Sequence, residues 1–129
     1  MTHLNNTIEL SARILLAAIF ILAGFSKITG YEATAAYMAS QGVPGQLLPL
    51  VILLEVGGGI AIVLGLLTRL VALALAGFSV MSALLFHFDL GDQTQFILFF
   101  KNLAMAGGFL LLVTHGAGAW SLDARRNSQ

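Results

Sequence analysis

The stretch from Leu47 to Leu67 constrains the fold more than any other part of the chain, because it is apolar or small except for Glu55. About 20 such residues in a helix cross the hydrocarbon core of a bilayer. Glu55 would lie roughly 12 Å along that helix, which is too deep for its side chain to reach the lipid headgroups. An ionisable group at this depth costs about 2.5–3.5 kcal/mol. We therefore expect Glu55 to meet a positively charged partner inside a helical bundle.

The composition is typical of an integral membrane protein. The 129 residues are 58% hydrophobic and 9% charged, with a mean hydropathy of +0.93, whereas soluble domains carry about 25% charged residues. The formal net charge is zero and no nucleic-acid-binding motif is present, so the lipid bilayer and not nucleic acid is the expected partner. The chain has no cysteine, which excludes disulfides and any cofactor held through cysteine, and we expect no covalently bound cofactor.

The hydrophobic pattern predicts an all-α fold, an antiparallel four-helix bundle in the membrane that forms one domain over residues 1–129. The four spans are predicted at 8–27, 47–67, 70–88 and 95–113. Residues 1–7 are polar and are expected to fray, and a short helix within 31–41 is expected to lie in the membrane interface. The first span has a poor cleavage site after it, so we expect it to stay in the membrane rather than to be removed as a signal peptide.

The basic residues predict the orientation of the bundle. In a four-span topology, both termini and the turn after the second span share one side of the membrane. That side carries Arg13, Arg69, Arg125 and Arg126, whereas the other side carries only Lys27. The positive-inside rule then places both termini in the cytoplasm.

Depth within the membrane selects the candidate partner of Glu55. Lys101 and the adjacent Asn102 lie about a third of the way into the fourth span, in the same half of the membrane as Glu55. We therefore predict a buried Glu55–Lys101 pair. Arg13 and Lys27 share one face of the first helix, and we expect them to snorkel to the two interfaces or to add a positive group to a cavity beside the pair. The pair is either a structural contact that fixes helix register or a site for a ligand, a proton or an electron carrier.

The histidines are not expected to form a metal or haem site in this topology. His87 and His115 end different spans on opposite sides of the membrane, and His3 lies in the N-terminal tail. Two axial ligands must flank one iron at the same depth, so we do not expect a haem bound by two histidines of one chain. The spacing shows no metal-ligand cluster and no nucleophile–base pair.

Six short stretches, in order over roughly residues 9–123, carry a family resemblance. They are RILLAAIFILAGFSK at 13–27, GVP at 42–44, EVGGG at 55–59, LGLLTR at 64–69, KNLAMAGG at 101–108 and GAWSLD at 118–123. Together they resemble the DoxX/DoxD-like family of small bacterial inner-membrane proteins. The resemblance implies a four-helix protein of the bacterial inner membrane.

The same resemblance indicates which polar residues are of family type. These residues are Arg13, Lys27, Glu55, Arg69, Lys101 and Asp123. One relative is described as a subunit of a thiosulfate:quinone oxidoreductase, and others are linked to membrane assemblies that handle thiol or oxidative stress. From their positions alone, Arg69 is expected to determine topology and Asp123 to be solvated beyond the last span.

Two functions from different classes fit these observations. In the first, the protein is a membrane subunit of an oxidoreductase-type assembly, with a quinone or small-anion site, and a partner subunit holds the redox centre. An excess of buried cations over Glu55 motivates this hypothesis. In the second, the protein is a non-catalytic binding, scaffold or transport protein with a structural ion pair. The ridge of Gly57, Ala61 and Gly65 on the second helix also predicts a homodimer.

Overall fold

The computed structural model describes residues 2–87 and 89–127, and its regular structure in these residues is helical throughout. The helices are α1 (Thr2–Thr29), α2 (Tyr31–Ser40), α3 (Gly45–Leu64), α4 (Thr68–Phe86), α5 (Gln93–His115) and α6 (Leu122–Asn127). The four long helices α1, α3, α4 and α5 are each long and apolar enough to cross a membrane. The predicted all-α class with four apolar helices is confirmed. The antiparallel order and the interfacial position of α2 stay predictions, and the predicted end of the third span, Phe88, lies outside the described residues.

The first helix begins earlier than the sequence predicts. Residues 1–7 are expected to fray, but α1 begins at Thr2. The ring of His3 lies 6.4 Å, between centroids, from the ring of Trp120 in the C-terminal segment. The Thr7 hydroxyl donates to the His3 carbonyl at 2.8 Å. The additional N-terminal turns of α1 therefore contact the C-terminal segment of the chain.

The third helix ends earlier than predicted because Gly65 adopts a left-handed conformation, with φ of +70°. The Gly65 N–H donates to the Ile62 carbonyl at 3.1 Å, and the Leu66 N–H donates to the Ala61 carbonyl at 2.9 Å. These two bonds form a Schellman motif, which terminates a helix at a glycine. Gly65 therefore lies beyond the helix and cannot extend the ridge of Gly57 and Ala61, although self-association of the chain stays a prediction.

The core lies between the four long helices, where aromatic rings meet a face of small residues. The Phe20 ring of α1 packs edge-on against Phe109 of α5, with centroids 5.4 Å apart, and against Phe78 of α4 at 6.3 Å. A stripe of small residues on α4 is buried, and its members are Ala72, Ala76, Ser79 and Ala83. In this bundle α1 packs mainly against α3, and α5 packs mainly against α4. Because these helices are neighbours, their packing determines which charged side chains can form ion pairs.

Candidate functional site

Glu55 lies in the middle of a π-helical turn, Leu53–Gly57, that interrupts α3. The helix is regular α-helix on both sides of this turn, over Leu48–Ile52 and Gly58–Leu64. A π-turn is a rare irregularity that occurs frequently at functional sites. Three consecutive glycines begin at its end, and glycine has a weak helix preference. The Glu55 residue is only 3% exposed, so the interrupted turn points a carboxylate into the bundle.

Two glycines allow α1 to cross α3 closely at this turn. A Cβ atom on Gly24 would overlap the side chain of Val56 and would lie 3.3 Å from the Val56 backbone nitrogen. A Cβ atom on Gly59 would lie 2.6 Å from the side chain of Ile21 and 3.3 Å from the Ala17 carbonyl oxygen. Glycines on both helices therefore let α1 and α3 approach each other closely beside Glu55.

The close crossing brings Lys27, one turn after Gly24, to Glu55. The Lys27 Nζ atom lies 2.8 Å from Glu55 Oε1, and the two side chains are 27% and 4% exposed. The contact is an ion pair between a buried carboxylate and a partly exposed ammonium. The sequence left two alternatives for Lys27, and its position beside Glu55 in the wall of a cavity fits the second, a positive group added to a cavity, rather than snorkelling.

The predicted Glu55–Lys101 pair is wrong. Lys101 lies on α5, which packs mainly against α4 rather than against the helix that carries Glu55. Its side chain is exposed on the outside of the bundle. Similar depth in the membrane is necessary for a pair but not sufficient, since the two residues must also face each other around the bundle. The adjacent Asn102 is turned differently, because it lines a cavity together with Glu55.

Arg13 lies at the other end of the bundle and takes no part in the Glu55 site. It is fully buried and does not line the cavity beside Glu55, so neither alternative predicted for it, snorkelling or lining that cavity, is correct. Its guanidinium donates to the Ile62 and Val63 carbonyls at 3.4 and 3.3 Å and also to the Trp120 carbonyl. The last carbonyls of a helix lack intrahelical partners and carry partial negative charge, so a buried cation is satisfied there. Arg13 therefore ties the end of α3 to the C-terminal segment.

Asp123 strengthens the same junction instead of being a purely solvated residue. Its carboxylate oxygens accept from the Leu67 and Thr68 N–H groups, each at 2.8 Å. Leu67 has a positive φ of 47°, which is unusual for a residue with a branched side chain. Asp123 thus caps the N-terminus of α4 from a distant part of the chain, and the Asp123 N–H donates to the Gly65 carbonyl at 2.9 Å. These contacts tie the C-terminal segment to the start of α4 and to the end of α3.

The Lys27–Glu55 pair lies in the wall of a cavity of about 570 Å³. The four long helices, α2 and the connection between α2 and α3 all contribute to its lining. Most of the lining side chains are apolar, including Phe20, Leu54 and Met105. Ligand sites in proteins typically measure about 300–1,000 Å³ and combine apolar walls with a few polar groups. The cavity therefore has the size and character of a site for an apolar molecule with a polar end.

The cavity offers both signs of charge to one polar group of a ligand. The Lys27 ammonium can donate a hydrogen bond to a carbonyl oxygen, and the Glu55 carboxylate can accept one from a hydroxyl. Within the described residues there is no group of histidine and acidic side chains that could hold a metal ion. Sequence reasoning missed the π-turn and the Lys27 partner. The signal for both was present in the glycine run after Glu55 and in the face that Lys27 shares with Gly24.

Comparison with known proteins identifies the family of the chain. The family model described as DoxX matches residues 8–88, which include both members of the ion pair. The chain is 50% identical over 129 residues to the inner membrane protein YqjF of Escherichia coli (strain K12), an alignment that covers 100% of this chain and 99% of that protein. It is 42% identical over 123 residues to the inner membrane protein YphA of the same organism, with coverages of 90% and 88%. No solved structure matches the chain. The protein therefore belongs to the DoxX family of membrane proteins.

Proposed function

We propose that the protein is a membrane subunit of an oxidoreductase-type assembly in the bacterial inner membrane, and that its cavity binds a quinone. One observation carries the proposal. A buried carboxylate with a lysine partner lies in the wall of an otherwise apolar cavity of about 570 Å³. An ionisable residue inside a membrane bundle is costly, and such residues typically face ligand or ion pathways.

The charge balance of the site favours a quinone over a small anion. The small-anion hypothesis depends on an excess of cations, but Lys101 is exposed and Arg13 lies at the far end of the bundle. Lys27 is neutralised by Glu55, so the cavity carries no net positive charge from this pair. A neutral ring with oxygen atoms suits such a site, since Lys27 can donate to a quinone carbonyl and Glu55 can accept from a quinol hydroxyl.

The exposed Lys101 supports contact with a partner subunit. Among the described residues it has no ion-pair partner, and it lies well inside the fourth span. A second copy of the chain offers no free acid at that position, because the acidic residues within the long helices are Glu55 and Glu9. Glu55 is paired, and Glu9 lies against Gly118 at the opposite end of the bundle. A carboxylate on a helix of a different protein would neutralise Lys101.

The redox centre belongs to the partner subunit in this proposal. The chain has no cysteine, so it can neither hold a thiolate-bound iron–sulfur cluster nor cycle a disulfide. Its own contribution is to bind the quinone, to orient it and to exchange hydrogen bonds with its oxygen atoms. The alternative function is a non-catalytic binding, scaffold or transport role, in which the same cavity holds an apolar ligand without any electron transfer.

Filling the cavity tests the proposal. Ala23 lines the cavity from α1, so Ala23→Phe should occupy part of its volume and lower the affinity for an alkyl para-benzoquinone at least about tenfold, or 1.4 kcal/mol. Leu22 is the matched control on the same helix, since its side chain is 66% exposed on the outside of the bundle. Leu22→Phe should leave the affinity unchanged. Binding is measured by equilibrium titration of the purified protein in lipid nanodiscs.

The outcome separates the two functions. A wild-type protein that does not bind the quinone, or an Ala23→Phe variant that binds it as well as wild type, would refute the cavity as a quinone site. Quinone reduction by membranes that contain the protein should fall in parallel with binding in the Ala23→Phe variant. If binding falls while quinone reduction stays unchanged, the non-catalytic function is correct.

A further inference from the structure

The amide of Asn102 is a second polar group in the cavity, on a different helix from the ion pair. Asn102 lies on α5, whereas Lys27 and Glu55 lie on α1 and α3, and all three line the same cavity. The Asn102 side chain is partly buried. Unlike Lys101 before it, it is turned toward the interior of the bundle.

This amide has unused hydrogen-bonding capacity. Within the described part of the chain, no hydrogen bond to or from the Asn102 side chain is present. An asparagine side chain has two donor hydrogens and one acceptor oxygen. In the interior of a membrane bundle, an unsatisfied polar group costs free energy because no bulk water replaces the missing partner.

Three hydroxyl groups of the cavity contrast with Asn102. The Ser79 hydroxyl donates to the Leu75 carbonyl at 2.9 Å, and the Tyr37 hydroxyl donates to the Phe86 carbonyl at 3.3 Å. The Thr34 hydroxyl donates to the Gly30 carbonyl at 2.9 Å. The donor hydrogens of these three hydroxyls are used within the protein. Ser82 also lines the cavity, and its hydroxyl makes no hydrogen bond within the described residues, but it has one donor hydrogen whereas the Asn102 amide has two.

We infer that the cavity recognises a ring with two separated oxygen atoms, one held by the Lys27–Glu55 pair and the other by Asn102. This inference rests on the proposed function and deepens it, because it makes Asn102 the residue that distinguishes a para-quinone from molecules with one polar end. An alkylphenol or a fatty acid satisfies the ion pair alone. A para-quinone also satisfies the amide, which can donate to the second carbonyl or accept from the second hydroxyl of the quinol.

The test compares two ligands with two variants. Wild-type protein should bind an alkyl para-benzoquinone more tightly than the alkylphenol with the same chain. Asn102→Leu should weaken quinone binding about three- to tenfold, the effect of one net hydrogen bond, and should leave phenol binding unchanged. Thr114→Val is the matched control on the same helix, because the Thr114 hydroxyl bonds to the Leu111 carbonyl and does not line the cavity, and it should change neither affinity. Asn102→Ala serves in place of Asn102→Leu if the larger side chain prevents folding, which thermal unfolding reports.

The remaining results would refute either two-point recognition alone or the proposed function as well. If Asn102→Leu or Asn102→Ala weakens both ligands equally, the amide only shapes the cavity, and two-point recognition is wrong. If neither ligand is weakened, the amide is hydrated rather than bound to ligand, and the inference is again wrong while the proposed function stands. If the wild-type protein binds neither ligand, the proposed function fails and the inference fails with it.

Discussion

Replacing Lys27 and replacing Glu55 should destabilise the protein to different degrees. The two side chains are 27% and 4% exposed, so only one of them has access to the surroundings when its partner is lost. In soluble proteins, removing one member of a buried pair costs about 3–5 kcal/mol because the other charge is left buried. We expect Lys27→Met to approach this cost and Glu55→Gln to fall well below it.

Lys27→Met leaves the Glu55 carboxylate buried without its partner. It can avoid this burial only by taking up a proton. The free energy of taking up a proton decreases as the pH falls. The destabilisation caused by Lys27→Met should therefore shrink as the pH falls from 7 to 5.

After Glu55→Gln, the unpaired Lys27 ammonium can reach polar surroundings more easily than an unpaired Glu55 carboxylate can. The Lys27 side chain is partly exposed and lies in the last turn of α1, so the ammonium can extend to the end of the helix when Glu55 is replaced. We expect Glu55→Gln to cost about 1 kcal/mol, near the upper end for exposed ion pairs. The gap between the two variants at pH 7 should then be about 2 kcal/mol or more.

Reversible unfolding in mixed micelles at pH 7 and pH 5 measures these differences. Lys101→Met is the matched control, because this lysine is exposed and unpaired among the described residues, and its stability should lie within about 0.5 kcal/mol of wild type. If Lys27→Met costs no more than Lys101→Met, or if its cost does not decrease at pH 5, the ion pair does not hold the carboxylate as described.

Three further predictions concern the helix crossing, the C-terminal junction and the orientation. Gly24→Ala should destabilise the protein by about 1–3 kcal/mol, because the new methyl group overlaps Val56. Gly107 has open space around it, so the control Gly107→Ala should be neutral or stabilising in the same unfolding assay. Asp123→Ala should cost about 1 kcal/mol in thermal unfolding through loss of the cap on α4, and an unchanged stability would contradict the capping role. A cytoplasm-specific reporter should be active at the C-terminus and inactive after Asp92, and activity at the second position would overturn the orientation.

The number and class of the helices could be predicted from the sequence because burial in lipid demands a uniform pattern. Long apolar runs are required to cross a membrane, and they are visible without knowledge of neighbouring helices. The small stripe on α4 and the face of α1 that holds Arg13, Phe20 and Lys27 could be read in the same way. Both depend only on helical periodicity. The left-handed Gly42, with φ of +81°, also appears where a helix end is expected.

The partner of Glu55 could not be predicted because periodicity and depth do not determine which helices are neighbours. Depth places both Lys27 and Lys101 near Glu55, but of the two helices that carry these lysines, only α1 packs closely on the helix that carries Glu55. The π-turn is a second feature that helical periodicity does not predict. It widens α3 at Leu53–Gly57, so that Gly59 contacts α1 whereas Gly58 faces Leu75 of α4. A regular helix places both glycines on the Glu55 face.

The double variant Lys27→Met with Glu55→Gln decides whether the pair is kept for stability or for binding. Replacing a buried ion pair by groups without net charge is often neutral or stabilising, because both desolvation costs disappear. We therefore expect the double variant to be nearly as stable as wild type, in contrast to Lys27→Met alone. A structural pair would then be dispensable, and quinone affinity would stay the same. A pair that anchors the ligand would lose at least about tenfold in affinity in a protein that still folds. Full affinity in a stable double variant would show that the cavity does not use the ion pair.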